Sequence, residues 1–137
     1  MESNNKVQCI DSCVILRLIL QDVPELYEKA RNLLLNGCDY YVDDIAIMEV
    51  VYVLSKCKWR REELIDSVLA LLNNRFLIWD RELFEEVFRV YLSHPSLSFD
   101  DIVMAKRIER MGHGCLWTFD RKFANQMEVA KLVEPAS

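Results

Sequence analysis

Four acidic residues have types and spacing that suit a shared chemical role. Glu49 is the only charged residue in the run IAIMEVVYVL, residues 45–54. Asp11 and Asp120 each directly follow a strand-like apolar segment, and Asp101 lies in the first turn of a predicted helix. Carboxylates that converge on one spot repel each other unless a divalent cation holds them together. The pattern therefore predicts a metal-dependent site formed by these four side chains.

The helix predicted around Glu49 is apolar on every side, which is typical of a buried helix. An unpaired carboxylate buried there costs several kcal/mol or takes up a proton. No Lys or Arg lies within one helical turn of Glu49, so its side chain needs another partner. A cation shared with the other three acids would supply that partner.

Each aspartate of the set also has a purely structural explanation. Asp11 and Asp120 could be helix N-caps, a common role for Asp after a strand. Asp101 could close a capping box that begins at Ser98. Glu49 has no such role because it lies in the middle of a helix, and this favours a shared site over capping alone.

Several neighbours of these acids leave alternatives open. Asp100 adjoins Asp101, but the residues three, four and seven positions after Asp101 are apolar, which places Asp101 on the apolar helix face. Asp43 belongs to the predicted N-cap region of the helix that follows it, and it could also support the site. The hydroxyls of Ser12 and Thr118 could orient a ligand or a metal-bound water, or could cap the backbone locally.

Basic residues near the acids could contact a nucleic acid. Lys58 and Arg60 flank Trp59, so this stretch could bind phosphates and stack a base, or could be a solvated connection between helices. Arg121 directly follows Asp120 and could touch a substrate phosphate. Arg17 stands alone in an apolar helix, and the sequence leaves open whether it pairs with an acid or with a partner subunit.

Length, charge and cysteine content set the broad class. The 137 residues suit one domain spanning 1–137, and the net charge of −5 argues against a general nucleic-acid coat protein while permitting a local basic rim. The five cysteines form no Cys-x2-Cys pair, so buried thiols in a reducing compartment are expected rather than a zinc site. No apolar stretch approaches the about 20 residues of a membrane span, and residues 1–6 lack a signal-peptide pattern. The cytoplasm and no membrane association are therefore expected.

Strand and helix patterns alternate along the chain. Strand-like segments occupy residues 6–10, 40–42, 76–79, 115–119 and 129–133, with helical patterns between them. This alternation predicts a three-layer α/β/α sandwich around a central, mainly parallel sheet of four to five strands. Ligands bind beyond the carboxyl ends of such strands, and Asp11 and Asp120 fall at that edge. The four acids are therefore expected to meet there.

The motifs IDSCVILRLIL, MEVVYVL, SFDDIVMAKRIERMG and WTFDRKF resemble, in order and spacing, those of PIN-domain ribonucleases. They are most similar to the VapC-type toxins of toxin–antitoxin pairs. The resemblance covers essentially the whole chain, and TFDRKF after an apolar strand is its most specific part. It places Asp11, Glu49, Asp101 and Asp120 on the acidic quartet of the family.

The resemblance implies an endoribonuclease that uses Mg²⁺ or Mn²⁺, and oxygen-only ligands agree with that choice of metal. It implies Asp11, Asp101 and Asp120 as metal ligands, with Glu49 completing the site or orienting water. It also implies products with a 5′-phosphate and a 3′-hydroxyl. A homodimer and a small VapB-like antitoxin whose C-terminal segment enters the active site are the implied partners, beside the RNA substrate.

Two other classes of protein fit the residues less well: a phosphoryl-transfer protein on a doubly wound sheet, and a binding module without catalytic activity. A phosphatase on a doubly wound sheet needs a second Asp two residues after its nucleophilic Asp, where this chain has Cys13. A receiver domain needs an acid pair before its central strand, which is absent. A catalytically silent PIN-fold module that binds RNA or protein would lack one or more of the acids, and all four are present.

Overall fold

The structure is a computed structural model that describes residues 7–134. Residues 1–6 and 135–137 lie outside the described part, and with them Lys6 of the first predicted strand and the start of the chain on which the signal-peptide prediction rests. The described elements, in chain order, are β1 (Gln8–Cys9), α1 (Ser12–Leu20), α2 (Pro24–Leu34), β2 (Tyr40–Tyr41), α3 (Asp44–Ser55), α4 (Arg61–Leu72), β3 (Leu77–Ile78), α5 (Arg81–Ser93), α6 (Phe99–Met111), β4 (Leu116–Thr118), α7 (Arg121–Gln126) and β5 (Ala130–Leu132). The predicted order of strands and helices is confirmed, with shorter strands.

The chain divides into two compact units, Met1–Asp80 and Arg81–Ser137. The first contains β1–β3 and α1–α4, and the second contains α5–α7, β4 and β5. That both belong to a single domain spanning 1–137 stays a prediction.

The first unit is built on a parallel sheet with the strand order β1-β2-β3. The pairing continues just past the strands, since the Ile10 N–H donates to the Tyr41 carbonyl at 3.1 Å and the Val42 N–H to the Ile78 carbonyl at 2.8 Å. All three strands therefore end at the same edge. An aspartate stands two residues beyond the end of β1, β2 and β3, at Asp11, Asp43 and Asp80.

Helix α3 is not buried on every side, and that prediction is wrong. One face of α3 packs against α1 and α4. The buried residues of this face are Ala46, Ile47, Val50, Val51 and Leu54. The opposite side leaves Ile45 62%, Tyr52 57% and Val53 38% exposed. Glu49 is also exposed, because the packing helices cover only one stripe of α3.

Arg17 and Asp22 correct the predicted start of the second helix. The spacing Asp22-x-x-Glu25, with Pro24 in the first turn, predicts a helix that Asp22 caps, but α2 begins at Pro24 with Val23 as N-cap and no side-chain cap. Asp22 instead accepts a hydrogen bond from Arg17 at 2.8 Å, an ion pair between two partly exposed side chains. Arg17 therefore pairs with an acid of its own chain.

The second unit combines a two-stranded parallel sheet with two packed helices. β4 pairs with β5 in the register Leu116↔Ala130, Trp117↔Lys131 and Thr118↔Leu132. Helices α5 and α6 pack through an aromatic cluster in which the ring centroids lie 5.3–6.2 Å apart, formed by Phe84, Phe88, Tyr91 and Phe99. Rings at this separation add attraction beyond the area they bury.

Lys106 of α6 ties the two packed helices together. Its ammonium donates to Glu86 of α5 at 2.9 Å and to Glu109 at 3.1 Å. Burial alone would lower the pKa of Lys106, but the hydrogen bonds to Glu86 and Glu109 outweigh it, and the pKa is raised. The charged form of Lys106 is therefore part of the folded unit.

The α/β class and the parallel strand pairing are confirmed. The strands pair as a set of three and a set of two, and a single central sheet of four to five strands is not what the described residues form. Each strand is only two or three residues long. The regular hydrogen bonding between neighbouring strands is thus shorter than the apolar segments from which the strands were predicted. Within residues 7–134, none of the helices has both the length and the apolar character needed to cross a bilayer.

Candidate active site

Asp11 is the N-cap of α1. Its Oδ1 accepts a hydrogen bond from the Ser12 N–H at 2.7 Å, and the Ser12 Oγ lies 3.2 Å from the same oxygen. The capping alternative is therefore confirmed for Asp11. The cap uses one carboxylate oxygen, and the other, Oδ2, lies 3.6 Å from the Cys13 thiol. Because Asp11 is exposed, its cap role leaves the charge accessible to a ligand.

The Ser12 hydroxyl joins Asp11 to Glu49. Ser12 is only 8% exposed, and its Oγ lies 3.5 Å from Glu49 Oε2. A hydroxyl has one proton, so it donates to one carboxylate at a time. Both separations exceed the about 2.7 Å of a strong O–H···O bond, so each bond is weak. The structure thus places two carboxylates that are far apart in sequence on either side of one buried hydroxyl.

Further acids surround Tyr41 at the same edge of the sheet. Burial raises the pKa of Tyr41, and the charges of Asp44, Asp43 and Asp80 raise it further. Asp43 is the N-cap of α3, accepting from the Ile45 N–H at 2.9 Å, as predicted. The carboxylates of Asp44, Asp43 and Asp80 therefore lie near enough to Tyr41 to disfavour its ionised form.

Asp80 and Tyr41 were missed as residues of this edge. Asp80 directly follows the segment FLIW, so the rule that singled out Asp11 and Asp120 would also have found it. No sequence signal distinguished Tyr41, because its environment depends on how β2 pairs with β1 and β3.

Asp120 and Thr118 form a local capping arrangement in the second unit. Asp120 is the N-cap of α7, and its Oδ1 accepts from the Phe123 N–H at 3.1 Å. The Asp120 N–H in turn donates to the Thr118 Oγ1 at 3.0 Å. Both capping alternatives are confirmed, and Asp120 remains exposed. Arg121, the first residue of α7, is also exposed.

Asp101 lies in the first turn of α6, as predicted. Ser98 is the N-cap, and its Oγ accepts from the Asp101 N–H at 3.3 Å. Asp101 is partly buried whereas Asp100 is exposed, which agrees with the choice of Asp101. Of the apolar residues expected on the face of Asp101, Ala105 is buried and Ile108 partly buried, whereas Met104 is exposed, so that face is buried only in part. The buried residues of α6 are Phe99, Ile102, Val103 and Ala105.

The described residues show no cluster that contains all four acids. Across residues 7–134, no group of three or more His, Cys, Asp or Glu side chains is placed to hold a metal ion. Asp11 and Glu49 are brought together in the first unit through Ser12. Asp101 and Asp120 belong to the second unit, and their place in a shared site stays a prediction.

A family model for the PIN domain matches residues 9–128. The chain belongs to the PIN-domain family. PIN domains are generally nucleases, so membership supports a hydrolase that acts on nucleic acid. No curated protein matches the chain significantly, so the VapC-type subgroup is not distinguished by these comparisons.

In this PIN domain, side chains of the stretch KCKWRR, residues 56–61, already contact other residues of the chain. Arg60 Nε donates to Glu63 Oε1 at 2.9 Å, and this hydrogen bond raises the pKa of Arg60. The Lys56 ammonium lies 4.9 Å from the centroid of the Tyr52 ring. Lys58 is exposed and Trp59 partly exposed, so these two fit a nucleic-acid contact better than Arg60.

The cysteines of this PIN domain are free thiols, but the prediction that they are buried is wrong. Cys9, Cys13 and Cys38 are exposed, and Cys57 and Cys115 are partly exposed. Cys9 and Cys13 flank Asp11, which is exposed as well. Their apolar sequence context therefore did not indicate burial.

Proposed function

We propose that this PIN-domain protein is an Mg²⁺- or Mn²⁺-dependent endoribonuclease with Asp11, Glu49, Asp101 and Asp120 at its active site. Family membership supports a nuclease. The observation that carries the proposal is the buried Ser12 hydroxyl, which lies 3.2 Å from the carboxylate of its neighbour Asp11 and 3.5 Å from that of Glu49, 37 residues away from Ser12 in sequence. Two accessible carboxylates held close together at a sheet edge are a ready source of oxygen ligands.

The donor set fits a hard divalent cation. Asp11 and Glu49 offer only carboxylate oxygens, which Mg²⁺ and Mn²⁺ prefer, and soft ligands from a Cys or His cluster are not gathered within residues 7–134. When bound, such an ion neutralises charge on the phosphodiester and lowers the pKa of a bound water. Asp101 and Asp120 are proposed to complete the ligand set, as the family resemblance implies.

The residues of the chain have distinct tasks in the proposed hydrolysis. The hydrogen bond from the Ser12 N–H fixes the orientation of the Asp11 carboxylate. The Ser12 hydroxyl lies next to the Glu49 carboxylate and restrains its position. Glu49 orients the attacking water. The water oxygen forms a bond to phosphorus, the bond from phosphorus to the 3′ oxygen breaks, and that oxygen takes up a proton. The products carry a 5′-phosphate and a 3′-hydroxyl.

The proposed biological role is that of a VapC-type toxin. The order and spacing of the motifs support it. A VapB-like antitoxin and a homodimer are part of this proposal. All five cysteines are free thiols, which supports the reducing environment of the cytoplasm.

Cleavage of RNA by a matched pair of variants tests the nuclease proposal. Glu49→Gln keeps size and helix propensity but removes the charge, and we expect it to abolish Mg²⁺-dependent cleavage of total cellular RNA. Glu28→Gln makes the same change at an exposed position in the middle of α2 and is expected to cleave like the parent protein. Equal cleavage by both variants would refute the role of Glu49, and no cleavage by the parent protein would refute the nuclease.

A further inference from the structure

The outer face of the small sheet in the second unit carries two exposed aromatic rings. Trp117 is 62% exposed and Phe119 is 82% exposed. Trp117 lies within β4, and Phe119 directly follows the end of that strand, at a bend of the chain. The alternating residues Leu116 and Thr118 are partly buried. The apolar sequence CLWTF, residues 115–119, predicts a buried strand, and that prediction is wrong for Trp117 and Phe119.

The neighbouring strand adds a cation and an apolar residue to that face. Lys131 is opposite Trp117 in the register and is exposed, and Val133, whose N–H donates to the Thr118 carbonyl at 2.8 Å, is 39% exposed. Ala130, which alternates with Lys131, is buried. We call Trp117, Phe119, Lys131 and Val133 the aromatic face.

Two more cations follow the aromatic face along the chain. Arg121 and Lys122 open α7 directly after Asp120, and both are exposed. Three basic side chains thus lie in and beside the face, in a protein with a net charge of −5. Exposed aromatic rings next to cations suit a ligand that is both flat and anionic.

Single-stranded RNA has this combination of properties. A base of any identity can stack on an aromatic side chain, and Lys or Arg neutralises the phosphates that join successive bases. A purely apolar protein partner would offer no anionic groups to Lys131, Arg121 and Lys122. It would therefore suit the aromatic face less well than RNA does.

We propose that the aromatic face binds single-stranded RNA, with bases stacked on Trp117 and Phe119 and phosphates next to Lys131, Arg121 and Lys122. This assignment rests on the proposed ribonuclease function, since the bound strand is the substrate of that enzyme. Phe119 directly precedes Asp120, one of the acids proposed to act in cleavage. The face selects single strands because paired bases are not free to stack on protein side chains.

Binding is measured on the Glu49→Gln background, where no cleavage is expected. The probe is a short fluorescein-labelled single-stranded RNA of mixed sequence, and the readout is anisotropy titration together with quenching of tryptophan fluorescence. Trp117→Phe keeps an aromatic ring and should retain binding within about threefold. Trp117→Leu keeps apolar bulk without a ring, and we expect it to weaken binding about tenfold or more, in line with the loss of one stacked base.

Two further variants check the assignment. Phe119→Tyr and Phe119→Leu repeat the comparison at the second ring, and Lys131→Gln should reduce the slope of log Kd against log salt by about 0.7, the value expected for one phosphate contact on a single strand. Leu92→Ala removes an exposed apolar side chain from α5 of the same unit and should leave binding unchanged. Thermal melts of all variants establish that they fold.

The outcomes separate this inference from the nuclease proposal. If the parent protein cleaves no RNA but binds it in a manner that depends on the rings, the stacking face stands and the nuclease is wrong. If the parent protein cleaves RNA while the Leu variants bind as well as the Phe and Tyr variants, the stacking face is wrong and the nuclease stands. If the Leu variants change only the sedimentation of the protein, the face is an interface between protein chains and the inference is overturned.

Discussion

Replacement of Asp11 separates its structural role from its chemical role. The carboxylate caps α1 through the 2.7 Å bond from the Ser12 N–H, and it also carries a charge proposed to act in catalysis. Asp11→Asn keeps an acceptor oxygen for the cap and removes the charge. Asp11→Ala removes both. The two substitutions should therefore differ in stability and agree in activity.

The magnitudes follow from the cap. Loss of an N-cap costs about 1 kcal/mol, and loss of a negative charge at a helix N-terminus costs about 0.3–1 kcal/mol. Asp11→Ala should then lose about 1–2 kcal/mol and Asp11→Asn about 0.3–1 kcal/mol. At about 4 °C per kcal/mol for a chain of this size, the Tm should fall by about 4–8 °C and about 1–4 °C. Asp43→Ala makes the same change at the N-cap of α3 and calibrates the cost of losing a capping aspartate outside the proposed ligand set.

Activity should not follow that order. Partners of a metal ligand typically contribute 10- to 100-fold to activity, so loss of a ligand should cost about 100-fold or more in kcat/KM in both variants. Scanning calorimetry and initial rates of RNA cleavage under the same conditions provide the comparison. If Asp11→Asn cleaves RNA like the parent protein while Asp11→Ala does not, then Asp11 serves as a cap and the proposed role of its charge is refuted.

Three further predictions concern the residues around the site and the packing of α5 on α6. Ser12→Ala should lower kcat/KM by about 10- to 100-fold with little change in Tm, because it removes the hydroxyl between two carboxylates but no backbone bond; an unchanged rate would contradict this. Ultraviolet titration should show Tyr41 ionising above its ordinary pKa, and Asp80→Asn should lower that pKa; a midpoint unaffected by the variant would show that Asp80 does not act on the ring. Lys106 has a raised pKa, so its stabilising contribution should be complete below about pH 10 and be lost as pH rises through the folded-state pKa. The Tm difference between the parent protein and Lys106→Met should therefore shrink above that pH, and a difference that persists unchanged would contradict the charged role.

The order of helices and strands could be predicted because each has a local signal. Apolar spacing marked α1, α4 and α5, and acids or Ser98 marked the starts of α1, α6 and α7, where the structure places N-caps. Where two local signals competed, the prediction failed. Asp22 has the sequence context of a cap, yet the guanidinium of Arg17 one turn away binds it, and Pro24 begins α2 after Val23.

Burial could not be predicted from composition alone. The sequence of α3 is apolar almost throughout, but which of its sides is covered depends on where α1 and α4 pack. For the same reason Trp117 and Phe119, in an apolar segment, are exposed on the outer face of β4. An apolar pattern indicates which side chains could be buried. Whether they are buried depends on the tertiary packing.

The candidate site could be predicted in part. The rule that acids after parallel strands share one edge correctly placed Asp11 at the edge of the first unit, and applied fully it would have included Asp80. The link from Ser12 to Glu49 could not be predicted, because it depends on the packing of α1 against α3. The participation of Asp101 and Asp120 in the same site remains a prediction from the motif resemblance.

Direct measurement of Mn²⁺ binding tests the central claim that these carboxylates form one metal site. Titration followed by electron paramagnetic resonance should show Mn²⁺ bound to the parent protein, with Mg²⁺ competing for it. Asp11→Asn, Glu49→Gln, Asp101→Asn and Asp120→Asn should each weaken that binding by about tenfold or more, whereas Asp66→Asn, an exposed acid on α4, should not. Mn²⁺ affinity that is absent in the parent protein, or equal in all five variants, would contradict the account.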